Sequence, residues 1–153
     1  MKIPDQVKSF LEKQHFAIVS SIEANNSLHT SAKGIIDINS KGKIFVLDLY
    51  KGQTYKNIKK NPNVTLTAID DYKYTGYSIQ GKAKITRENT ISDKKMKAWH
   101  DNLAKRIARR VIRHVKNEVS GYEGIPEARF PIPKHLIEID VEKIVDLAPH
   151  KLK

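Results

Sequence analysis

The sequence predicts a mainly β protein with helices, built as a six-stranded antiparallel β-barrel with a basic helical insertion before its last strand. Two observations predict this fold class. Short segments that alternate between apolar and polar residues follow one another through tight turns, which is typical of antiparallel hairpins. One long segment of helical periodicity interrupts the series just before the final alternating segment. The close spacing of the strands favours a small barrel over an open sheet.

The predicted elements follow a simple order along the chain. Helices are predicted over residues 4–14, where Val7 and Leu11 belong to the buried stripe, and over 54–60, which ends before Pro62. The six predicted strands span residues 15–23, 27–38, 43–49, 64–69, 74–86 and 136–141.

The chain is predicted to form one domain over residues 1–153, with the helical insertion at about 91–120. Two glycines, Gly76 and Gly81, fall inside the fifth predicted strand. A glycine in the interior of a strand indicates a bulge or a close backbone approach. We therefore expect the ladder around this strand to be irregular.

Composition narrows the classes of function. The chain has 28 Lys or Arg and 17 Asp or Glu, a formal net charge of +11, which indicates an anionic partner: nucleic acid, a membrane surface or a phosphorylated small molecule. It has no Cys, which excludes disulfides, thiolate metal ligands and a cysteine nucleophile. No apolar run reaches the roughly 20 residues that span a bilayer. Because the first residues lack the apolar core of a secretory signal, we expect a cytoplasmic protein.

Most of the excess charge lies in residues 93–116, which hold nine Lys or Arg and two Asp. Apolar residues recur at every fourth position of this segment: Trp99, Leu103, Ile107, Val111 and Val115. The pattern predicts an amphipathic helix with a basic outer face. One interpretation is a nucleic-acid or membrane-surface element. The other is a helix packed on the domain or on a partner subunit, with a solvated basic face and Trp99 as a packing anchor.

A second informative segment runs from the strand 43–49 through Lys51, Gly52, Gln53 and Thr54 into the helix 54–60. Backbone N–H groups at a helix N-terminus, a hydroxyl and a lysine are groups that bind a phosphate. The spacing differs from that of a P-loop, and Thr54 as an ordinary N-cap beside an exposed lysine is the alternative. The sequence shows no metal-ligand spacing and no nucleophile–base arrangement, so neither a metal site nor a catalytic residue is predicted.

Several motifs accompany this segment: Gly34-Ile35, Phe45, the run TYKNIKKNPNV at 54–64, and Gly81-Lys82-Ala83. Together with the order of the elements, they resemble the pyridoxamine 5′-phosphate oxidase-like, FMN-binding split-barrel family. That family has a "KT..N(I/L)..(N/D)P.V" segment after its third strand and "G.A" in its fifth. The resemblance covers about residues 8–88, and 136–141 fits the closing strand more loosely.

The resemblance implies a six-stranded split barrel that forms a homodimer, with FMN in grooves at the interface and a small-molecule redox substrate. It places nine residues at the cofactor: Ser31, Ala32, Lys33 and Gly34 along the flavin, Leu47 and Asp48 near the ring or ribityl chain, and Lys51, Gln53 and Thr54 at the phosphate. Lys33 is the candidate for a positive charge that would stabilise reduced, anionic flavin. The redox chemistry would be that of the cofactor.

Three departures from the family pattern argue against vitamin B6 oxidation. Gly76 falls where the true oxidases place a ring-contacting Gln. Gln53 and Thr54 align with a paired Arg-Lys that grips the phosphate, and Lys51 or Lys56 would have to compensate. The C-terminal segment LAPHKLK lacks the Arg-containing signature for the substrate phosphate. A flavin reductase-like or general flavin-dependent redox role fits better.

The sequence leaves three alternatives open. The same fold could bind deazaflavin F420 or haem in place of FMN. A small β-barrel could bind nucleic acid through the basic helix 93–116, although the barrel lacks interleaved aromatic residues. The chain could also be a non-catalytic protein that has lost its cofactor. On the leading hypothesis, the cations that matter to the cofactor are Lys33, Lys51 and Lys56, all outside the basic helix.

Overall fold

The computed structural model of the chain describes residues 1–14, 16–39, 41–86, 91–116 and 125–149. The predicted start of the first strand at residue 15, one residue of the turn 39–42, the end of the predicted insertion and the beginning of the loop 121–133 lie outside the described residues.

The described residues form a seven-stranded antiparallel sheet with three α-helices and one short 3₁₀ helix. The helices are α1 (Asp5–Lys13), α2 (Gln53–Lys60), α3 (Asp93–Lys116) and the 3₁₀ helix Pro126–Arg129. The strands are β1 (Ala17–Ile22), β2 (Leu28–Lys33), β3 (Ile35–Asn39), β4 (Lys43–Asp48), β5 (Asn63–Asp70), β6 (Thr75–Ile85) and β7 (His135–Asp146). The predicted fold class is confirmed, with one strand more than the sequence indicated.

The additional strand arises because the predicted strand 27–38 divides at Gly34. The sheet order is β2-β1-β5-β6-β7-β4-β3, so β2 and β3 are adjacent in the chain but lie at opposite ends of that order. A sheet whose two ends are joined by one residue must curl on itself, which produces the barrel. The Gly34 carbonyl accepts a hydrogen bond of 2.8 Å from the Leu47 N–H and so ties this junction to β4.

Alternation along the strands places one apolar set inside the barrel. Val19, Ile44, Leu66, Ile79 and Ile139 are all fully buried there. Helix α1 adds Val7 and Leu11 to this core, and α2 adds Ile58. The polar residues between them face outward, as expected for antiparallel strands with one solvated face.

Both strand glycines lie at close backbone approaches, as predicted. A Cβ atom at Gly81 would lie 2.2 Å from the Asp140 carbonyl oxygen, and the β6–β7 register shifts between Gln80 and Gly81. A Cβ atom at Gly76 would lie 2.8 Å from the Ala68 carbonyl oxygen. A side chain at either position would therefore require the sheet to move.

Helix α3 covers the outer face of β3, β4 and β7 with its first half. Trp99 is buried against Leu47 and Leu136, and Met96 and Leu103 pack around them. Trp99 is thus a packing anchor, as one interpretation of the helix predicted. Among the described residues, no helix is long and apolar enough to cross a membrane.

Candidate functional site

A groove of about 810 Å³ lies where α3 passes the junction of β2 and β3. Four of the predicted cofactor residues line it: Ala32, Lys33, Gly34 and Leu47. Its apolar wall includes Ile36, Leu49, Trp99, Leu103 and Phe130, and its cationic side consists of Lys105, Arg106, Arg109 and Arg110. Pockets for organic ligands are typically concave, mostly apolar and roughly 300–1,000 Å³ in volume, so the groove can hold a molecule of flavin size.

Lys33 reaches the groove from β2 and is held in place by a buried carboxylate. Its ammonium group donates a hydrogen bond to Asp48 Oδ1. Asp48 is completely buried at the end of β4, and the Lys33 side chain is mostly buried as well. A buried charge is tolerated only when it is paired and hydrogen-bonded. Asp48 is therefore not positioned to contact a ligand directly, and its effect on the groove is exerted through Lys33.

The second oxygen of Asp48 binds a residue that the sequence analysis did not identify. His135 Nε2 lies 3.0 Å from Asp48 Oδ2, and the two residues are opposite each other in the β4–β7 ladder. Because an ionised carboxylate only accepts, Nε2 must carry the proton. His135 Nδ1 is buried and has no hydrogen-bond partner within the described residues. The sequence contained a signal for this residue. His135 alternates in step with Ile137, Ile139 and Val141, so it falls on the same face of the strand as these apolar residues.

Ser31 and Thr54 meet beside this ion pair. Their hydroxyl oxygens are 2.8 Å apart, which joins β2 to the first turn of α2. Thr54 is buried and lies inside the helix, whose N-cap is Gly52, so the alternative that Thr54 is the N-cap is wrong. The N-cap makes no side-chain hydrogen bond. The first backbone N–H groups of α2 therefore have no side-chain cap and can bind an anion.

The remaining predicted phosphate ligands lie around the start of α2. Gln53 is exposed, and its amide donates to Asn57 Oδ1 at 2.8 Å. Lys51 Nζ lies 5.7 Å from the centroid of the Tyr55 ring, whose edge-to-face contact with His135 has a centroid distance of 5.1 Å. Tyr55 thus connects the lysine at the surface with the buried histidine.

The arginines of α3 bring positive charge to the same groove. The prediction that the cations beside the cofactor all lie outside this helix is therefore wrong for the groove. The Arg106 guanidinium lies 3.9 Å from the position of a Cβ atom at Gly34. Burial lowers the pKa of Arg106 below its ordinary value, although the neighbouring Glu127 acts in the opposite direction. A half-buried guanidinium of this kind is a strong site for an anionic group.

Arg110 and Glu127 form the outer end of this cationic side. Arg110 Nε donates to Glu127 Oε1 at 2.9 Å and lies 2.8 Å from Oε2. Burial alone would raise the pKa of Glu127, but the hydrogen bond from Arg110, a backbone hydrogen bond and the charges of Arg110 and Arg106 outweigh it, so this pKa lies below its ordinary value. Glu127 stays ionised and fixes the 3₁₀ helix to α3.

The residues present fit a flavin nucleotide. The apolar wall suits a flat ring system, and Lys33 and Arg106 supply donors for its polar atoms. The start of α2 does not line the groove, but it follows the lining residue Tyr50 and would be the donor for a phosphate that reaches beyond it. Within the described part of the chain, no group of three or more His, Asp or Glu side chains is arranged to hold a metal ion.

The curled antiparallel sheet, the helix closing against it and the groove at the strand junction define the chain as a split-barrel protein. The chain belongs to the pyridoxamine 5′-phosphate oxidase family, whose model matches residues 3–147.

Comparison with solved structures gives the same fold. HupZ of Group A Streptococcus has 22% identity and a TM-score of 0.64, and the match covers 95% of this chain and 94% of that one. An F420 reductase has 15% identity and a TM-score of 0.59, with 94% of this chain and 98% of that one covered. An FMN-binding protein from Syntrophomonas wolfei subsp. wolfei has 13% identity and a TM-score of 0.57, with 95% and 86% covered. A search of curated proteins found no match to this chain.

Proposed function

We propose that this protein binds FMN in the groove beside Gly34 and uses it to pass electrons or hydride to a small-molecule acceptor. The observation that carries the proposal is the groove itself, which combines an apolar wall with cations and includes Gly34 and Ile35 of the family motifs. The S. wolfei neighbour, an FMN-binding protein, supports a flavin, and the neighbour that is an F420 reductase makes F420 the alternative. We propose a cytoplasmic location.

Each part of the groove has a role in this proposal. Bound FMN would supply the redox chemistry. Lys33, positioned by Asp48, offers a fixed hydrogen-bond donor to the ring. The uncapped start of α2, with Lys51 beside it, binds the phosphate, and Arg106 keeps the potential of the groove positive. Leu47 and Trp99 exclude water from one side of the ligand.

Oxidation of pyridoxamine 5′-phosphate itself is not part of the proposal. The position of Gly76 has no room for a larger side chain, because a Cβ atom there would also lie 2.8 Å from Ile69 Cγ2. A ring-contacting Gln therefore cannot be built at this position without moving β5. The substrate is instead expected to be a different small molecule.

A homodimer is also part of the proposal. The outer face of β1, β2 and β5 exposes Ile18 by 37%, Leu28 by 74% and Ile69 by 63%. These residues have the same parity in the β1–β2 and β1–β5 ladders, so they form one surface with the small side chains between them. Exposed apolar patches of this kind mark interaction sites. A second copy of the chain on this face would complete the family assembly.

The absorption spectrum of the purified protein tests the cofactor. We expect a yellow protein with flavin bands, or a colourless one that takes up added FMN with quenching of the flavin fluorescence. F420 and haem have different spectra and are offered in parallel titrations. A protein that takes up none of the three would overturn the proposal.

Lys51→Ala tests the start of α2 as the site of the phosphate. We expect FMN affinity to fall about fivefold, an effect of about 1 kcal/mol, since one charge-assisted contact is lost. Lys60→Ala is the matched control, because Lys60 is an exposed lysine at the other end of α2. Riboflavin, which lacks the phosphate, should bind the wild type and Lys51→Ala equally. Equal FMN affinity of the two lysine variants would place the phosphate elsewhere.

A further inference from the structure

The second half of α3 is amphipathic, but its apolar face does not pack against the barrel. Residues 104–116 contain six Lys or Arg and no Asp or Glu. Apolar residues follow the spacing i, i+3, i+4, i+7, i+8, i+11, which places them on one face of a helix. This apolar face consists of Ala104, Ile107, Ala108, Val111, Ile112 and Val115.

The apolar face points away from the barrel. In the first half of α3, Met96, Trp99 and Leu103 face the sheet. Continuing the same stripe by helical steps leads to Arg106 and Arg110, which line the groove, and not to the apolar residues. Consequently Val111 is 43% exposed, Ile112 56% and Val115 75%. Of the residues that the structure describes, none buries these three side chains.

We propose that residues 104–116 form a docking surface for an anionic lipid bilayer, with the apolar face inserted between the head groups. Lys105 and Lys116 lie on the helix beside this face, where they would meet lipid phosphates. Arg109 and Arg113 lie on the other side of the helix, where they line a cavity with Phe16 and Glu127. A helix with one apolar face and a strongly basic remainder is typical of an interfacial membrane helix. Clustered basic residues add electrostatic attraction to anionic lipids, and they gain no such attraction from neutral lipids.

Two other occupants fit these observations less well. A second copy of the chain, packed helix against helix, would bring two sets of six cations together with no acidic residue in either segment. A nucleic acid would bind the cations through its phosphates but would leave Val111, Ile112 and Val115 in water. Anionic lipid satisfies the charge and the apolar face at the same time.

Vesicle flotation with the full chain tests the proposal. We expect the protein to float with vesicles of phosphatidylcholine mixed with phosphatidylglycerol and not with vesicles of phosphatidylcholine alone. Ile112→Gln/Val115→Gln should reduce the partition coefficient about tenfold or more, because two apolar side chains no longer gain from leaving water. Ile132→Gln/Leu147→Gln is the matched control, since both side chains are exposed and lie outside α3. The control should bind like the wild type.

A second pair of variants separates the charge from the apolar face. Lys105→Gln/Lys116→Gln should also weaken binding and reduce its salt dependence, whereas Lys60→Gln/Lys73→Gln, which removes the same charge from exposed sites elsewhere, should have less effect. All four variants are surface substitutions, and circular dichroism checks that each one is folded.

Three results would overturn the proposal. The first is no flotation of the wild type with anionic vesicles. The second is flotation that Ile112→Gln/Val115→Gln leaves unchanged, which would mean attraction by charge alone. The third is a dimer in sedimentation that Ile112→Gln/Val115→Gln dissociates, which would identify a second copy as the occupant. If the first result is accompanied by binding of RNA or DNA fragments, the surface belongs to a nucleic-acid site.

Discussion

The two outer faces of the sheet differ in what covers them. Helix α3 covers β4 and β7, and Leu47, Trp99 and Leu136 are buried between the helix and the sheet within one chain. Over β1, β2 and β5, Ile18, Leu28 and Ile69 stay exposed within the described chain. The covered face therefore contributes to the stability of the single chain, whereas the uncovered face has apolar surface left for association. The groove lies along the covered face, at the junction where β2 leads into β3.

Trp99→Ala should have the largest effect on the contrast between the covered and the uncovered face. It removes the anchor of α3 from the covered face, and large-to-small changes of a buried aromatic residue cost about 3–5 kcal/mol. Leu28→Ala on the uncovered face should change the unfolding free energy of the monomer by less than about 0.5 kcal/mol. Urea unfolding at low protein concentration measures both. Similar losses for the two variants would contradict the contrast.

Asp48→Asn should have the next largest effect, because it leaves the mostly buried Lys33 without its counter-charge. Removing one partner of a buried ion pair costs about 3 kcal/mol or more. The double variant Asp48→Asn/Lys33→Met should recover much of that loss, since no unpaired charge remains. Asp71→Asn, at an exposed turn, is the control. A double variant as unstable as the sum of its single variants would show that the two side chains do not interact.

Ile18→Lys and Leu28→Lys should act on assembly and not on the folded chain. A charge on the uncovered face is expected to shift the proposed dimer to monomer, with a folded circular dichroism spectrum retained. Sedimentation velocity measures the state. Tyr72→Lys, at an exposed turn, should leave the dimer intact. A wild-type protein that is monomeric at all concentrations would refute the dimer.

Glu138→Gln should have the smallest effect, one that depends on pH. Burial raises the pKa of Glu138, but hydrogen bonds from Lys43 and Lys84 outweigh it, so the pKa lies below the ordinary 4.5. A carboxyl with a lowered pKa contributes stability above its unfolded-state value and loses that contribution as the pH falls through the folded-state value. The advantage of the wild type over Glu138→Gln in denaturant unfolding should therefore shrink as the pH falls below 4.5. Glu142→Gln, whose carboxylate is more exposed, is the matched control for the loss of one negative charge from β7.

Local pattern was enough to predict most elements of the fold. The helix predicted over 4–14 appears as Asp5–Lys13, and the one over 54–60 as Gln53–Lys60. The last strand continues beyond the predicted end at 141 to Asp146, because Lys143, Ile144 and Val145 find partners in β6. Residues that break the alternation can still join a ladder when a long neighbouring strand is available.

Two features depended on contacts between distant parts of the chain. Residues 27–38 contain one interruption, Gly34 followed by Ile35 and Ile36, and they divide there because the two halves pair with β1 and β4. The stripe predicted for the basic helix is correct up to Leu103 and wrong beyond it, where Arg106 and Arg110 take the inner positions beside Glu127. The cofactor residues Ser31, Ala32, Lys33, Gly34, Leu47, Asp48, Lys51, Gln53 and Thr54 remain predictions.

The junction at Gly34 also has a consequence for how the barrel opens. In the described sheet β2 pairs only with β1 and β3 only with β4, so each of these strands is hydrogen-bonded along one edge. Strands held along one edge open more readily, because fewer backbone hydrogen bonds must break. In the native state the amide hydrogens of β2 and β3 should therefore exchange sooner than those of β6, which is hydrogen-bonded along both edges.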